Sequence, residues 1–184
     1  MSMSGASAPL VTTLVLGGAR SGKSAHAERL VRDSGLAPFY LATAEAGDAE
    51  MGERIALHRA RRGPGWTTRE EPLALAEALS AEAREGRAVL VDCLTLWLSN
   101  LVFAERDLDA ETERLCTALG RLPAPVVLVS NEVGMGLVPE TPLGRRFRDA
   151  QGRLNQAVAA AVPAVVFVAA GLPLRLKGDP AAAV

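Results

Sequence analysis

The 184-residue sequence carries almost no net charge and only two cysteines, and each shortage excludes a class of function. A formal net charge of −1 produces no long-range field for nucleic acid or an anionic membrane, so we expect neither as a partner. Cys93 and Cys116 lack the spacing of metal ligands. We expect both to be buried thiols of a reducing cytosol, and hence a cytoplasmic protein.

The sequence also lacks the pattern of a signal peptide and of a membrane-spanning helix. Residues 1–9 have no basic region followed by an apolar one, so we expect residues 1–11 to be a disordered lead-in. Residues 157–174 carry no charge, but prolines and a glycine interrupt them, which favours a helix end followed by a buried strand. The length suits one domain, which we place at residues 12–178, with a tail at 179–184.

Apolar runs alternate with helical patterns along the chain. The runs that end near Asp92, Glu132 and Ala169 are continuously apolar, which is typical of strands buried on both faces of a parallel sheet. We therefore predict a single three-layer α/β domain with a largely parallel central sheet. The predicted helices lie at about residues 24–31, 49–62, 72–84, 94–105, 109–121 and 142–162, with Pro72 at the start of the third and an edge strand at 174–176.

The turn between the first strand and the first helix matches the phosphate-binding pattern G-x-x-x-x-G-K-[ST] at every position. Glycines permit backbone conformations in which successive N–H groups point at phosphate oxygens, and the helix behind them presents its positive end. A glycine-rich turn with a chance lysine is the alternative, but strand, loop and helix follow in the order that the motif requires. We predict that the chain binds a nucleoside triphosphate through Gly17, Gly18, Ala19, Arg20, Ser21, Gly22, Lys23 and Ser24, with Lys23 on the β- and γ-phosphates and Ser24 on Mg²⁺.

Two acidic residues compete for the second position on Mg²⁺. Asp92 and Glu132 each follow a predicted buried strand, where such an enzyme holds its metal, and their spacing does not decide between them. We favour Asp92, because its strand should lie close to the strand of the phosphate-binding motif. The alternative for Asp92 is an N-cap of the following helix.

The predicted helix at 49–62 brings a histidine together with several arginines. His58 falls between an apolar stripe and a cationic one, which contains Arg54 and Arg61. A structural histidine at the boundary of the core is one interpretation, and a catalytic histidine beside anion-binding arginines is the other. The same choice between a solvated face and anion contact applies to Arg145, Arg146, Arg148 and Arg153 in the helix at 142–162.

Three classes of nucleotide-binding protein are candidates for a chain with this phosphate-binding motif. A regulatory GTPase requires an N-K-x-D motif, which the sequence does not contain. A small-molecule kinase agrees with all the patterns above. A non-catalytic nucleotide-binding module does not explain why a carboxylate follows each of two buried strands. We therefore predict an enzyme.

Further motifs follow the phosphate-binding loop in a fixed order. They comprise residues 40–44 (YLATA), 54–59 (RIALHR), 66–70 (WTTRE), 92–95 (DCLT), 131–140 (NEVGMGLVPE) and 147–156. Together they resemble the bifunctional adenosylcobinamide kinase / adenosylcobinamide-phosphate guanylyltransferase family of cobalamin biosynthesis. The resemblance runs from about residue 13 to residue 177, and its most specific part is the stretch at 131–136.

This resemblance implies a RecA-like P-loop fold, a homotrimer and a reaction in two halves. A nucleoside triphosphate, ATP or GTP, first phosphorylates adenosylcobinamide. GTP then guanylylates the histidine that matches His58, and the GMP passes to adenosylcobinamide phosphate. The implied nucleotide contacts, besides residues 17–24, are Ala42, Thr43, Ala44, Arg59, Ala60, Arg61, Arg62, Glu70 and Asp92, with Mg²⁺ held by Ser24 and Asp92.

Overall fold

The computed structural model describes residues 9–44 and 65–180 of the chain. Within these residues seven strands form one sheet, in the spatial order β3-β2-β4-β5-β1-β6-β7. The strands are β1 Thr13–Gly17, β2 Ala37–Ala42, β3 Thr67–Glu70, β4 Arg87–Asp92, β5 Val126–Asn131, β6 Ala164–Ala169 and β7 Leu172–Lys177. The helices are α1 Lys23–Asp33, α2 Leu75–Glu82, α3 Leu94–Phe103, α4 Leu108–Leu119 and α5 Pro142–Ala161.

Every neighbouring pair of strands is parallel except β6 and β7, which form an antiparallel hairpin at one edge. The prediction of a largely parallel sheet is therefore confirmed. The inner strands β4 and β5 are buried on both faces, which explains their continuous apolar runs.

Two apolar clusters divide the side chains of each inner strand between the two faces of the sheet. On one face, Val15, Leu90 and Val127 pack with Ala27 and Val31 of α1. On the other face, the alternate strand residues pack with α2, α3, α4 and α5. Helix layers thus cover both faces, and the predicted three-layer α/β architecture is confirmed.

The strand order brings the carboxyl ends of five strands to one edge. Gly17 at the end of β1 pairs with Asn131 of β5, and Ala42 at the end of β2 pairs with both Asp92 of β4 and Glu70 of β3. The strands of the phosphate-binding motif and of Asp92 were expected to lie close together, and β5 separates them. In open α/β sheets ligands bind outside this carboxyl edge.

The start of one helix differs from its prediction by more than the other boundaries do. Helix α2 begins at Leu75 and not at Pro72. The carboxylate of Glu71 accepts hydrogen bonds from the amides of Leu73 (3.3 Å) and Ala74 (2.9 Å), so the chain makes a hydrogen-bonded turn before the helix starts. The helix predicted at 49–62 lies outside the described residues. In the part of the chain that the structure describes, no helix has the length and the apolar character to cross a membrane.

Candidate active site

The phosphate-binding motif forms a closed turn between β1 and α1. Gly22 is the N-cap of α1 and has a φ of 94°, a left-handed conformation that strongly favours glycine. Its carbonyl accepts the first helical hydrogen bond, from the amide of His26 at 3.0 Å. The helix therefore starts at Lys23, and its free N–H groups face the carboxyl edge of the sheet.

The hairpin β6–β7 packs tightly against this turn. The amide of Gly171 donates to the carbonyl of Ser21 at 2.8 Å. A Cβ atom on Gly17 would lie 2.5 Å from the carbonyl oxygen of Val168, and one on Gly22 would lie 3.1 Å from the Cα of Gly171. Both glycines are thus required by close backbone contact. The sequence motif indicated the glycines, but not the hairpin that makes them necessary.

Lys23 is folded back over the turn that it follows. Its side chain is only 9 % exposed, and Nζ donates to the carbonyl of Gly18 at 3.0 Å. Burial lowers the pKa of Lys23, while the nearby Cys93 and Asp92 act in the opposite direction. The ammonium group thus lies inside the loop and within the electrostatic range of Asp92.

The two rival carboxylates have different surroundings. Asp92 is half-buried at the end of β4 and accepts a hydrogen bond from the hydroxyl of Tyr40 at 3.1 Å. Glu132 also reaches the motif, since its amide donates to the carbonyl of Gly17 at 3.1 Å. Its carboxylate, however, accepts from the amide of Gly134 at 2.5 Å and so engages its own loop. Asp92 thus acts on the charge of Lys23, whereas the carboxylate of Glu132 is held by its own loop.

The donor set of this edge suits Mg²⁺ bound together with phosphates. Among the described residues no group of three or more His, Cys, Asp or Glu side chains could enclose a metal ion. Mg²⁺ is usually held by one or two protein oxygens, the substrate phosphates and water, and not by a complete protein cage. The hydroxyl of Ser24 and the carboxylate of Asp92 fit that arrangement.

The other residues expected at the nucleotide divide into two groups. Ala42 ends β2, Thr43 and Ala44 follow it, and Glu70 ends β3, so all four lie at the carboxyl edge. Glu70 is exposed, whereas the side chain of Thr43 is completely buried and bonded within the protein. His58, Arg59, Ala60, Arg61 and Arg62 lie outside the described residues.

The second histidine occupies a structural position in α1. His26 is 9 % exposed, and its Nδ1 accepts a hydrogen bond from Arg29 at 2.9 Å. Burial and the charge of Arg29 both lower the pKa of His26. It is therefore a neutral, packed imidazole at neutral pH.

The arginines of α5 serve different purposes. Arg145 donates to the carbonyls of Pro139 (3.1 Å) and Glu140 (2.7 Å) and fixes the end of the loop before the helix. Arg148 approaches Asp149 at 3.8 Å. Arg153 is exposed and borders a shallow cavity between α3, α4 and α5, away from the carboxyl edge. These arginines therefore form neither one solvated face nor one anion site.

Sequence patterns did not indicate the polar residues that support the site. Tyr40 binds Asp92, and the hydroxyl of Thr95 accepts from the amide of Asn131 at 2.9 Å, which joins the start of α3 to the end of β5. The buried side chains of Ser130, Gln151 and Asn155 form a hydrogen-bonded group beneath β5. The only sign of these contacts in the sequence is that residues with hydroxyl or amide side chains lie close to the predicted strand ends.

The parallel sheet and the phosphate-binding turn define a P-loop NTPase of the RecA-like kind. The fold is similar to that of the flagellar accessory protein FlaH from Methanocaldococcus jannaschii (TM-score 0.54, 12 % identity, covering 98 % of this chain and 85 % of that one). It is also similar to that of the RadB recombinase (TM-score 0.51, 18 % identity, covering 87 % and 74 %). The chain belongs to the family described as cobinamide kinase / cobinamide phosphate guanyltransferase, whose profile matches residues 13–176.

Curated relatives agree with this assignment. The chain is 58 % identical to the bifunctional adenosylcobalamin biosynthesis protein CobP of Pseudomonas aeruginosa over 169 residues, which cover 91 % of this chain and 98 % of that protein. It is 43 % identical to the bifunctional adenosylcobalamin biosynthesis protein CobU of Escherichia coli, covering 89 % and 98 %. The resemblance found in the motifs is thus confirmed.

Proposed function

We propose that this chain phosphorylates adenosylcobinamide with a nucleoside triphosphate and then transfers GMP from GTP to adenosylcobinamide phosphate. The observation that carries the proposal is the phosphate-binding turn with Lys23 beside Asp92, in a chain that matches the family over residues 13–176. Both half-reactions use a bound triphosphate, so a single phosphate-binding turn serves both.

The residues of the turn hold and polarise the triphosphate. The N–H groups at the start of α1 bind phosphate oxygens, and Lys23 exchanges the carbonyl of Gly18 for the β- and γ-phosphates. Because the lysine is already buried and folded over the loop, it needs little reorganisation when the ligand binds. Ser24 and Asp92 would hold Mg²⁺, which neutralises charge on the phosphates when bound.

The transfer of GMP requires a nucleophile, and we propose His58. A neutral imidazole nitrogen attacks the α-phosphorus of GTP, a phosphorus–nitrogen bond forms, and the bond to the leaving pyrophosphate breaks. The hydroxyl-derived phosphate of the corrinoid then displaces the histidine. Arg54, Arg59, Arg61 and Arg62 would disfavour the protonated imidazole and stabilise the charge that develops on the triphosphate. The resemblance and the residue types support this role.

The remaining features of the proposal come from the family resemblance and from composition. We propose GTP and ATP as co-substrates, a homotrimer as the assembly, one domain at residues 12–178 and a cytoplasmic location. The two cysteines agree with a reducing compartment, since both are free thiols and burial raises the pKa of Cys93 to about 11.

Product analysis after incubation with adenosylcobinamide, GTP and Mg²⁺ tests the proposed function. The expected products are adenosylcobinamide phosphate followed by adenosylcobinamide-GDP, with pyrophosphate released in the second step. Phosphorylation without any GDP derivative would instead identify a plain small-molecule kinase. Tight GTP binding without either product would identify a non-catalytic nucleotide-binding module.

A further inference from the structure

One buried threonine joins the segment after β2 to the segment after β4. The hydroxyl of Thr43 donates to the carbonyl of Cys93 at 2.7 Å and accepts from the amide of Cys93 at 2.9 Å. The amide of Thr43 also donates to the carbonyl of Asp92 at 3.3 Å. Thr43 is 0 % exposed, so these bonds are shielded from water. Together they fix the backbone on the carboxyl side of Asp92.

Helix α3 holds the threonine in turn. The side-chain amide of Asn100 donates to the carbonyl of Thr43 at 2.8 Å and to the carbonyl of Pro72 at 3.1 Å. The indole N–H of Trp97 donates to the carbonyl of Leu73 at 2.9 Å. The segments that follow β2, β3 and β4 are therefore tied to one helix, and Thr43 is the member of this group that contacts the Asp92 segment.

We propose that Thr43 is a positioning residue that sets the carboxylate of Asp92 relative to Lys23 and the triphosphate. The inference rests on the proposed function, in which Asp92 holds Mg²⁺. A side chain points where its backbone directs it, and Thr43 holds the carbonyl of Asp92 and both backbone polar groups of Cys93. Because the threonine side chain is buried, its hydroxyl serves the protein framework and not a contact with the nucleotide. Residues that orient a metal ligand in this way affect metal affinity strongly.

A merely structural role for Thr43 makes a different prediction. Loss of the hydroxyl would then lower stability and leave the effect of Mg²⁺ on nucleotide affinity unchanged. The matched control is Thr13, which is also 0 % exposed and donates its hydroxyl to the carbonyl of Val11 at 2.8 Å, at the opposite end of β1 from the motif. Valine has the shape of threonine without the hydroxyl, so the same substitution applies at both positions.

The experiment measures the dissociation constant of a non-hydrolysable GTP analogue with and without Mg²⁺, together with thermal melting. Thr43→Val should reduce the gain in affinity that Mg²⁺ provides, which is the ratio of the two dissociation constants, by roughly tenfold. Thr43→Ser retains the hydroxyl and should restore the gain. Thr13→Val should melt at a lower temperature but keep the full gain.

A folded Thr43→Val protein with the wild-type gain, or a Thr43→Ser protein as impaired as Thr43→Val, would overturn the inference. If Thr43→Val does not fold, Asn100→Ala takes its place in the experiment, because it removes the hydrogen bond to the carbonyl of Thr43. An Asn100→Ala protein in which Mg²⁺ still provides the full gain in affinity would then overturn the inference. Asp92→Asn distinguishes a failure of the proposed metal role of Asp92 from a failure of the proposed positioning role of Thr43. If Asp92→Asn keeps the gain, the metal role of Asp92 fails; if it loses the gain while Thr43→Val keeps it, only the positioning role of Thr43 fails.

Discussion

At the scale of single residues, the burial of Lys23 is the clearest sign of a prepared site. Lys23 is 9 % exposed, so its ammonium group loses much of its hydration, and this burial lowers its pKa. The carbonyl of Gly18 and the charge of Asp92 compensate only in part. Under the proposed function, a bound triphosphate would supply the further negative charge that offsets this burial.

Replacing this lysine should affect both half-reactions. Lys23→Ala removes a charge-assisted contact to the phosphates, which is worth about 2–4 kcal/mol in the transition state. We expect phosphorylation of adenosylcobinamide and GTP-dependent labelling of the protein to fall together in steady-state and labelling assays. Lys177→Ala is the matched control, because Lys177 binds the carbonyls at the end of α5 and should affect stability alone. A loss of only one half-reaction in Lys23→Ala would indicate separate nucleotide sites.

The two carboxylates at the strand ends should differ in their effect on metal dependence. Asp92→Asn should raise the Mg²⁺ concentration needed for half-maximal kinase activity more than Glu132→Gln does, because the carboxylate of Glu132 is engaged by the amide of Gly134. Titration of Mg²⁺ against both variants measures this. The reverse ranking would assign the metal to Glu132.

Residue-scale prediction from the sequence is most direct where the spacing is local. The positions 17–24 follow one another in the chain, so the motif predicted the turn between β1 and α1 that the structure has. The bonds from Tyr40 to Asp92 and from Thr43 to Cys93 join residues 52 and 50 positions apart. Such pairs depend on strand order, which a single sequence does not specify.

At the scale of elements, apolar runs indicated the buried strands, and the largest error was the start of α2. Pro72 was expected to begin the helix because proline is favoured in a first helical turn. In the structure Glu71 binds the amides of Leu73 and Ala74 in a turn that precedes the helix, and α2 itself begins at Leu75 without a side-chain cap. Local preference predicted the helix, and this hydrogen-bonded turn sets its boundary.

The hydrogen bonds of Glu71 in this turn give the stability of the protein a pH dependence. Burial raises the pKa of Glu71, but hydrogen bonds from Ala74, Leu73 and Arg69 outweigh it and hold the pKa below its ordinary value of 4.5. A carboxyl with a lowered folded-state pKa stabilises the protein above its unfolded pKa and loses that contribution as the pH falls through the folded value. Glu71→Ala should therefore cost about 1 kcal/mol at pH 7, the net contribution of a typical hydrogen bond.

Chemical denaturation at pH 7 and at several values below pH 4.5 measures this effect. The difference between Glu71→Ala and the wild type should shrink as the pH falls, because the wild type loses the contribution that the variant lacks. Glu85→Ala, at an exposed glutamate in the turn before β4, should match the wild type throughout. A difference in stability between Glu71→Ala and the wild type that does not change with pH would mean that Glu71 acts by packing and not as a charged hydrogen-bond acceptor.

At the scale of the whole molecule, the topology decides how the site is assembled. Strand β5 lies between β1 and β4, so one strand separates Asp92 from the motif. At the end of this strand the amide of Glu132 bonds to Gly17, and the amide of Asn131 bonds to Thr95. The three-layer class was predictable because alternating strand and helix patterns allow few arrangements. The order of the strands was not, since it depends on contacts between distant segments.

The central claim is that one triphosphate site serves a kinase and a nucleotidyl transfer through His58, and labelling with α-labelled GTP in the absence of corrinoid tests it most directly. The wild type should take up GMP covalently, release pyrophosphate and carry a label that is acid-labile but stable to alkali, as a phosphorus–nitrogen bond requires. His58→Ala should take up no label, yet still phosphorylate adenosylcobinamide. His26→Ala, at the packed imidazole of α1, should still be labelled. A His58→Ala protein that melts like the wild type and still takes up the label would contradict the account.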